Sequence, residues 1–204
     1  MSTNINKPYV VLFVEGDTDK VFFNTLLHYY RNNTTKHIVP CEIINIRGVC
    51  KYTKTIIGKI EKGIRPKIRK KGFEVTAVCC SYDTDIFEYA EHPPVNWTVV
   101  KKEIYNINIK NFYQINVKKM MEDWFLSDLK GLCKYLKINE VVNLKGNTGY
   151  EKIQSLFKKG NRVYQKGISV NNFIQFLDIG IIRDKHISEL KNLESVLNVK
   201  LNKK

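Results

Sequence analysis

Hydrophobic residues along this chain fall into two kinds of segment. Four segments are short and rich in apolar residues: 9–14 (YVVLFV), 41–46 (CEIINI), 75–80 (VTAVCC) and 112–117 (FYQINV). The continuous run 9–14, rich in β-branched residues, predicts a strand buried in a parallel sheet, 41–46 a second strand, 75–80 a third buried one, and the alternating 112–117 a fourth. Between them the spacing turns helical. Residues 20–31 place Phe22, Leu26 and Tyr30 four apart on one face, with Thr18 as N-cap and Asn32-Asn33 as terminator. Residues 52–62 turn Ile56, Ile57 and Ile60 inward, and Gly63 and Pro66 predict a break into two short helices. Asn96 caps a helix over 97–107, and 120–136 (MMEDWFLSDLKGLCKYL) predicts one helix carrying Trp124, Leu126 and Leu132. Segments 150–157, 170–177 and 185–197 are helical, with Ser169 and Asp184 as caps.

Strands alternating with helices over the first two thirds predict an α/β fold: a mostly parallel, Rossmann-like four-stranded sheet flanked by helices. The last third lacks strand patterns. The expected division is an α/β unit over 1–140 with a helical extension, 141–204, packed on it. The opening MSTNINKP has no apolar leader core, and no apolar run approaches membrane-spanning length. Neither secretion nor membrane insertion is expected, and the cytoplasm is the expected location.

Two of the strands end in acids. In VVLFVEGDTDK (10–20) Glu15 follows the first strand, and in SYDTD (81–85) Asp83 and Asp85 follow the third. Open α/β sheets collect functional groups beyond the carboxyl ends of strands. In extended backbone Asp83 and Asp85 project to the same side, where Glu15 from a neighbouring strand can join them. Gathered carboxylates repel one another and raise their own pKa values unless a cation stands between them. The chain offers no His/Cys ligand set, so hard oxygen donors point to Mg2+ or Mn2+. Such an ion polarises a phosphoryl group and activates water. Each acid alone has an ordinary explanation: a turn beside Gly16, a D-x-D turn or cap, or dipole complementation by Asp17 or Asp19. Their joint occurrence after two apolar strands favours catalysis.

Charge adds a class of partner. The chain carries 34 Lys and Arg against 20 Asp and Glu, a net +14, which attracts polyanions, nucleic acid foremost. A generally Lys-rich composition is the ordinary explanation, but the distribution is uneven. Lys51, Lys54, Lys59, Lys62, Arg65, Lys67, Arg69, Lys70 and Lys71 are opposed only by Glu61. With Arg47 they form a candidate phosphate-binding set, and Lys152, Lys158, Lys159, Arg162 and Lys166 form a second cluster. Tyr52, Phe73 and Tyr164 are interleaved aromatics that could stack on unpaired bases. Five cysteines, none in a C-x-x-C pair, predict reduced, buried thiols rather than a disulfide framework.

VVLFVEGDTDKVFF followed by VCCSYDTD resembles the TOPRIM domain of topoisomerases, bacterial primases and related nucleases, over residues 9–85. Glu15 followed by Asp19 is similar to the overcoming-lysogenization-defect (OLD) nuclease branch. The resemblance implies metal-binding acids at Glu15, Asp19, Asp83 and Asp85. From KKMMEDWFLSD it implies a further ligand at Glu122, whose ordinary role would be an acid in a first helical turn. It also implies a late lysine that stabilises charge developing on phosphate. Lys166 in VYQKG matches best, with Lys152 and Lys159 as rivals. Together these imply a Mg2+- or Mn2+-dependent endonuclease with Glu15, Asp83, Asp85 and Lys166 as its catalytic set, and an effector role in phage defence. The OLD proteins carry an ATPase domain, but no G-x-x-x-x-G-K-[ST] loop is present here, so regulation would come from a partner such as an ATPase. Two other readings stand beside this one: a ribonuclease acting on structured or transfer RNA with the same site, and a non-catalytic nucleic-acid-binding module.

Overall fold

The computed structural model describes residues 6–139 and 143–202. The division expected at residues 140/141 and the first five residues of the opening MSTNINKP lie outside the described residues. In chain order the elements are β1 (Lys7–Val14), α1 (Asp17–Asn33), β2 (Cys41–Asn45), a 3-10 turn (Val49–Lys51), α2 (Tyr52–Gly58), a π-helical segment (Lys59–Ile64) and α3 (Arg65–Arg69). There follow β3 (Phe73–Asp83), α4 (Asp85–Tyr89), α5 (Trp97–Asn106), β4 (Asn111–Val117), α6 (Met121–Phe125), a 3-10 turn (Leu126–Asp128) and α7 (Leu129–Leu136). The chain closes with α8 (Gly149–Lys159), α9 (Val170–Phe173), a 3-10 turn (Ile174–Phe176), α10 (Ile179–Lys185) and α11 (Ile187–Leu197).

The four strands form one sheet in the order β2-β1-β3-β4, and every pairing is parallel. This is the Rossmann-like α/β arrangement expected from the apolar runs. From Val10 to Val14 β1 is wholly apolar, because both of its faces are covered there. Val10, Leu12 and Val14 belong to one hydrophobic cluster, and Val11 and Phe13 to the other. The first cluster joins the sheet to α1 and to the C-terminal helices through Phe22, Leu26, Trp124, Leu156, Phe173, Leu190 and Leu193. The second packs α2, the π-helical segment, α3 and α5 on the opposite face. An extra residue in β3 shifts its register against β1 after Tyr9. Val75 and Val78 therefore share a face, while Ala77 and Cys79 point to the other.

The basic segment departs from the two helices expected. It follows one helical path from Val49 to Arg69, with a wider π turn in the middle. Ile56, Ile60, Ile64 and Ile68 are all buried against the sheet. A spacing of four overshoots the ordinary 3.6-residue turn, so a wider turn holds this stripe in line. It also absorbs Pro66, which has no N–H to donate into the preceding turn.

The helix expected over 120–136 is interrupted at Asp128. Its carboxylate accepts from Gly131 N at 3.1 Å and from Asp178 N at 2.6 Å, starting α7 afresh and anchoring the loop before α10. Asn96 caps α5 as expected, accepting from Val99 N. Thr18 does not cap α1: Gly16 precedes the helix, and Thr18 accepts the amide of Gly167 instead. Ser169 accepts from Gln165 N without capping α9, and Asp184 lies inside α10, where Asp178 is the cap. The thiols are unpaired; Cys79, Cys80 and Cys133 are buried, while Cys50 is exposed, against expectation. Among the described residues no helix is long and apolar enough to cross a membrane.

Candidate active site

β1 and β3 lie side by side, and the chain leaves their carboxyl ends in different directions: β1 leads through α1 to β2 on its far side, and β3 leads to β4. This is the switch point at which open α/β sheets form their crevices. Glu15 follows β1, and Asp83 is the last residue of β3. Tyr52 fastens the two strand ends from below. It is fully buried, and its hydroxyl donates to the carbonyls of Phe13 and Ser81, each two residues before an acid.

Each acid is held by a specific contact. Glu15 Oε2 accepts from Asp83 N at 3.4 Å, linking the first strand's acid to the third strand. Asp83 divides its oxygens: Oδ1 accepts from Met121 N at 3.0 Å, fixing the start of α6, and Oδ2 stands 3.5 Å from Lys166 Nζ. Glu122, in the first turn of α6, is fully buried; Oε1 accepts from the Tyr164 hydroxyl at 2.7 Å and Oε2 lies 3.6 Å from Lys166 Nζ. Asp19, in the first turn of α1, is buried as well. Neither Asp19 Oδ1 nor Glu122 Oε2 has a hydrogen-bond partner. Glu15, Asp83, Asp85 and Lys166 line an open cleft of about 420 Å³ together with Ile86 and Ala90.

The electrostatics follow from crowding. Burial pushes the Asp83 carboxyl up, Asp19 adds to this, and Lys166 opposes it. Burial also raises Asp19, with Glu15 as the next cause. Glu15 is raised by burial too, against the Asp83 amide and Lys166, which lower it. Lys166 loses hydration, which lowers its pKa, but Glu122, Asp83 and Asp19 outweigh that and hold the ammonium charged.

Glu15 with Asp19, then Asp83, then Glu122, from three separate parts of the chain, thus gather around one lysine. Of the three late lysines weighed, Lys166 is the one paired with Asp83 and Glu122. Asp85 differs from expectation. Thr84 leaves the extended conformation and Asp85 opens α4, so the two aspartates do not share one strand face. Asp85 still lines the cleft, with Oδ1 accepting from Ile86 N at 2.8 Å.

A resident divalent ion is compatible with this chemistry. All the donors are hard oxygens, and two buried carboxylate oxygens lack hydrogen bonds. Among the described residues no three acidic, histidine or cysteine groups stand ready to hold an ion in this arrangement. The Lys166 ammonium is the counter-ion instead.

The basic set is divided. Lys51, Lys54, Lys59, Lys62, Lys67, Arg69, Lys70, Lys71 and Arg47 are exposed. Arg65 is not available to a ligand: it is buried, paired with Glu61 and bonded to the Ile107 carbonyl. Arg47, Lys59 and Lys67 line a cleft of about 460 Å³ between edge strand β2 and the π-helical segment, together with Lys20, Asp17 and Glu42. Lys158 and Lys159 line a separate cleft, and Arg162 lies over the Tyr135 ring and donates to its hydroxyl. The expected base-stacking aromatics fail in two cases, because Tyr52 and Tyr164 are buried. Sequence reasoning missed their actual parts, as a strand-end fastener and a partner of Glu122. Only the closeness of Tyr164 to Lys166 in VYQKG hinted at the second.

The chain was compared with family models, curated proteins and solved structures, and none matched.

Proposed function

We propose that the chain is a cytoplasmic, Mg2+- or Mn2+-dependent nuclease with a TOPRIM-type site. The observation that carries this reading is the gathering of Glu15, Asp19, Asp83 and Glu122 around Lys166 at the carboxyl ends of β1 and β3. A surface meant only to bind polyanions gains nothing from clustered carboxylates. A net charge of +14 and a basic cleft beginning at Asp17, two residues beyond Glu15, favour a polyanionic substrate.

Glu15, Asp83 and Asp85 would hold the ion at the open cleft, with Asp19 and Glu122 beneath. When bound, the ion would supply Lewis-acid polarisation of a phosphodiester and an activated water. The protein's own groups do the rest. Lys166, charged and half-exposed, faces the same cleft and would stabilise negative charge developing on phosphate. Arg47, Lys59 and Lys67 would hold the backbone through phosphate contacts, which carry no base information. A partner chain such as an ATPase would supply regulation, and phage defence is the setting the resemblance suggests.

The test is cleavage of plasmid, single-stranded DNA and total RNA by purified protein, with and without Mg2+ or Mn2+. Metal-dependent cleavage is expected, abolished in Asp83→Ala/Asp85→Ala while nucleic-acid binding persists. Retained cleavage in that variant, or cleavage indifferent to chelator, would remove the assignment. The polymer cut distinguishes a deoxyribonuclease from a ribonuclease.

A further inference from the structure

The two oxygens of the buried Glu122 carboxylate have different surroundings. Oε1 is satisfied by the Tyr164 hydroxyl at 2.7 Å. Oε2 receives no hydrogen bond and faces Lys166, which also faces Asp83 Oδ2. The phenol is held independently of this bond. Its ring meets Phe157 at 5.2 Å and Tyr150 at 5.7 Å, both edge to face. The turn carrying Tyr164 and Lys166 is tied to α1 by the 2.8 Å bond from Gly167 N to Thr18 Oγ1, one residue before Asp19.

Resting on the metal-site reading, we propose that Tyr164 is a positioning residue: its hydroxyl fixes the Glu122 carboxylate so that Oε2 alone is presented to the cation shared with Asp83. Tyr164 does not touch that cation or the substrate. A hydrogen bond at one oxygen restrains the rotation of the carboxylate, and partners of this kind orient the ligands they hold and tune their affinity. A purely structural hydroxyl would behave differently. It would stabilise the fold and leave ion affinity unchanged.

The experiment measures free Mn2+ by electron paramagnetic resonance against the full chain, alongside thermal melting without metal. Tyr164→Phe keeps the ring and removes the donor. Mn2+ affinity is expected to fall by about 10- to 100-fold. In a Glu122→Gln background the same change should cause no further loss. An unchanged affinity in folded Tyr164→Phe overturns the inference, even if its melting temperature drops. Should Tyr164→Phe alone not fold, the Gln background decides, because the neutral amide strands no buried charge; a further loss of affinity there also overturns it. Wild-type protein that binds no Mn2+ overturns the metal-site reading and this inference with it. Binding by wild type that equals binding by Tyr164→Phe overturns this inference alone.

Discussion

Lys166 Nζ lies 3.5 Å from Asp83 Oδ2 and 3.6 Å from Glu122 Oε2, so one ammonium bridges the end of β3 and the first turn of α6. It partly offsets the repulsion among acids that the fold forces together. The same ammonium also lines the open cleft.

Lys166→Met therefore has two expected effects. The metal-free protein should lose roughly 1 kcal/mol, the exposure of the lysine limiting the figure. Mg2+ should then stabilise the variant more than it stabilises wild type, because the acids lack their internal counter-ion. Differential scanning calorimetry with and without Mg2+ reads both. Cleavage should fall by about 10²- to 10³-fold, as when a single charge-stabilising group is removed. An identical response to Mg2+ in both proteins would contradict this account of Lys166.

The basic cleft makes a salt-dependent prediction. Lys59→Ala and Lys67→Ala should each weaken nucleic-acid binding across sequences and reduce the slope of log affinity against log salt by about 1. Arg65→Ala should leave that slope unchanged and destabilise the fold, because Arg65 is buried between Glu61 and the Ile107 carbonyl. Filter binding over a salt series, with melting curves, separates the two kinds of residue.

Away from the cleft, His186 stacks on Trp124 with ring centroids 4.4 Å apart and shares a hydrogen bond with Ser127. Burial holds its pKa below the ordinary 6.5, with Glu189 opposing and Lys185 adding to the effect. A histidine depressed in the folded state contributes stability that is present above pH 6.5 and lost as pH falls through the folded value. His186→Gln should therefore flatten the dependence of unfolding free energy on pH below 6.5. Denaturant melts of both proteins across that range test it.

Glu194 joins α10, α11 and α1. It takes Arg183 Nε and Nη2 at 2.6 Å each and the Tyr30 hydroxyl at 2.7 Å. Glu194→Ala should cost on the order of 2–3 kcal/mol by leaving Arg183 and Tyr30 without their shared acceptor. Arg183→Lys should lose a large part of the same stabilisation, because lysine lacks the bidentate fork that grips both Glu194 oxygens. Urea denaturation measures both.

The strands were legible because their covering is written in them: YVVLFV is apolar without a break, as a strand sandwiched between Leu26 on one side and Ile56 on the other must be. Glu15 and Asp83 were legible by position at strand ends. Glu122 and Lys166 were named through resemblance to TOPRIM nucleases, since periodicity says nothing about which late residues a tertiary fold returns to the sheet. The partners stayed hidden for the same reason. Tyr164 and Glu122 are 42 residues apart, and only packing joins them. Arg65 was misjudged because a charge run does not reveal which member its helix turns inward. The extended Asp-x-Asp failed because α4 begins one residue earlier than an extended strand end allows.

The central claim is that acids from separate elements share one cation, and titration calorimetry of Mn2+ into the purified chain tests it most directly. The account predicts saturable binding by wild type that is lost in Glu15→Gln/Asp83→Asn with its circular dichroism spectrum intact. No binding by wild type, or equal binding by both proteins, would contradict it.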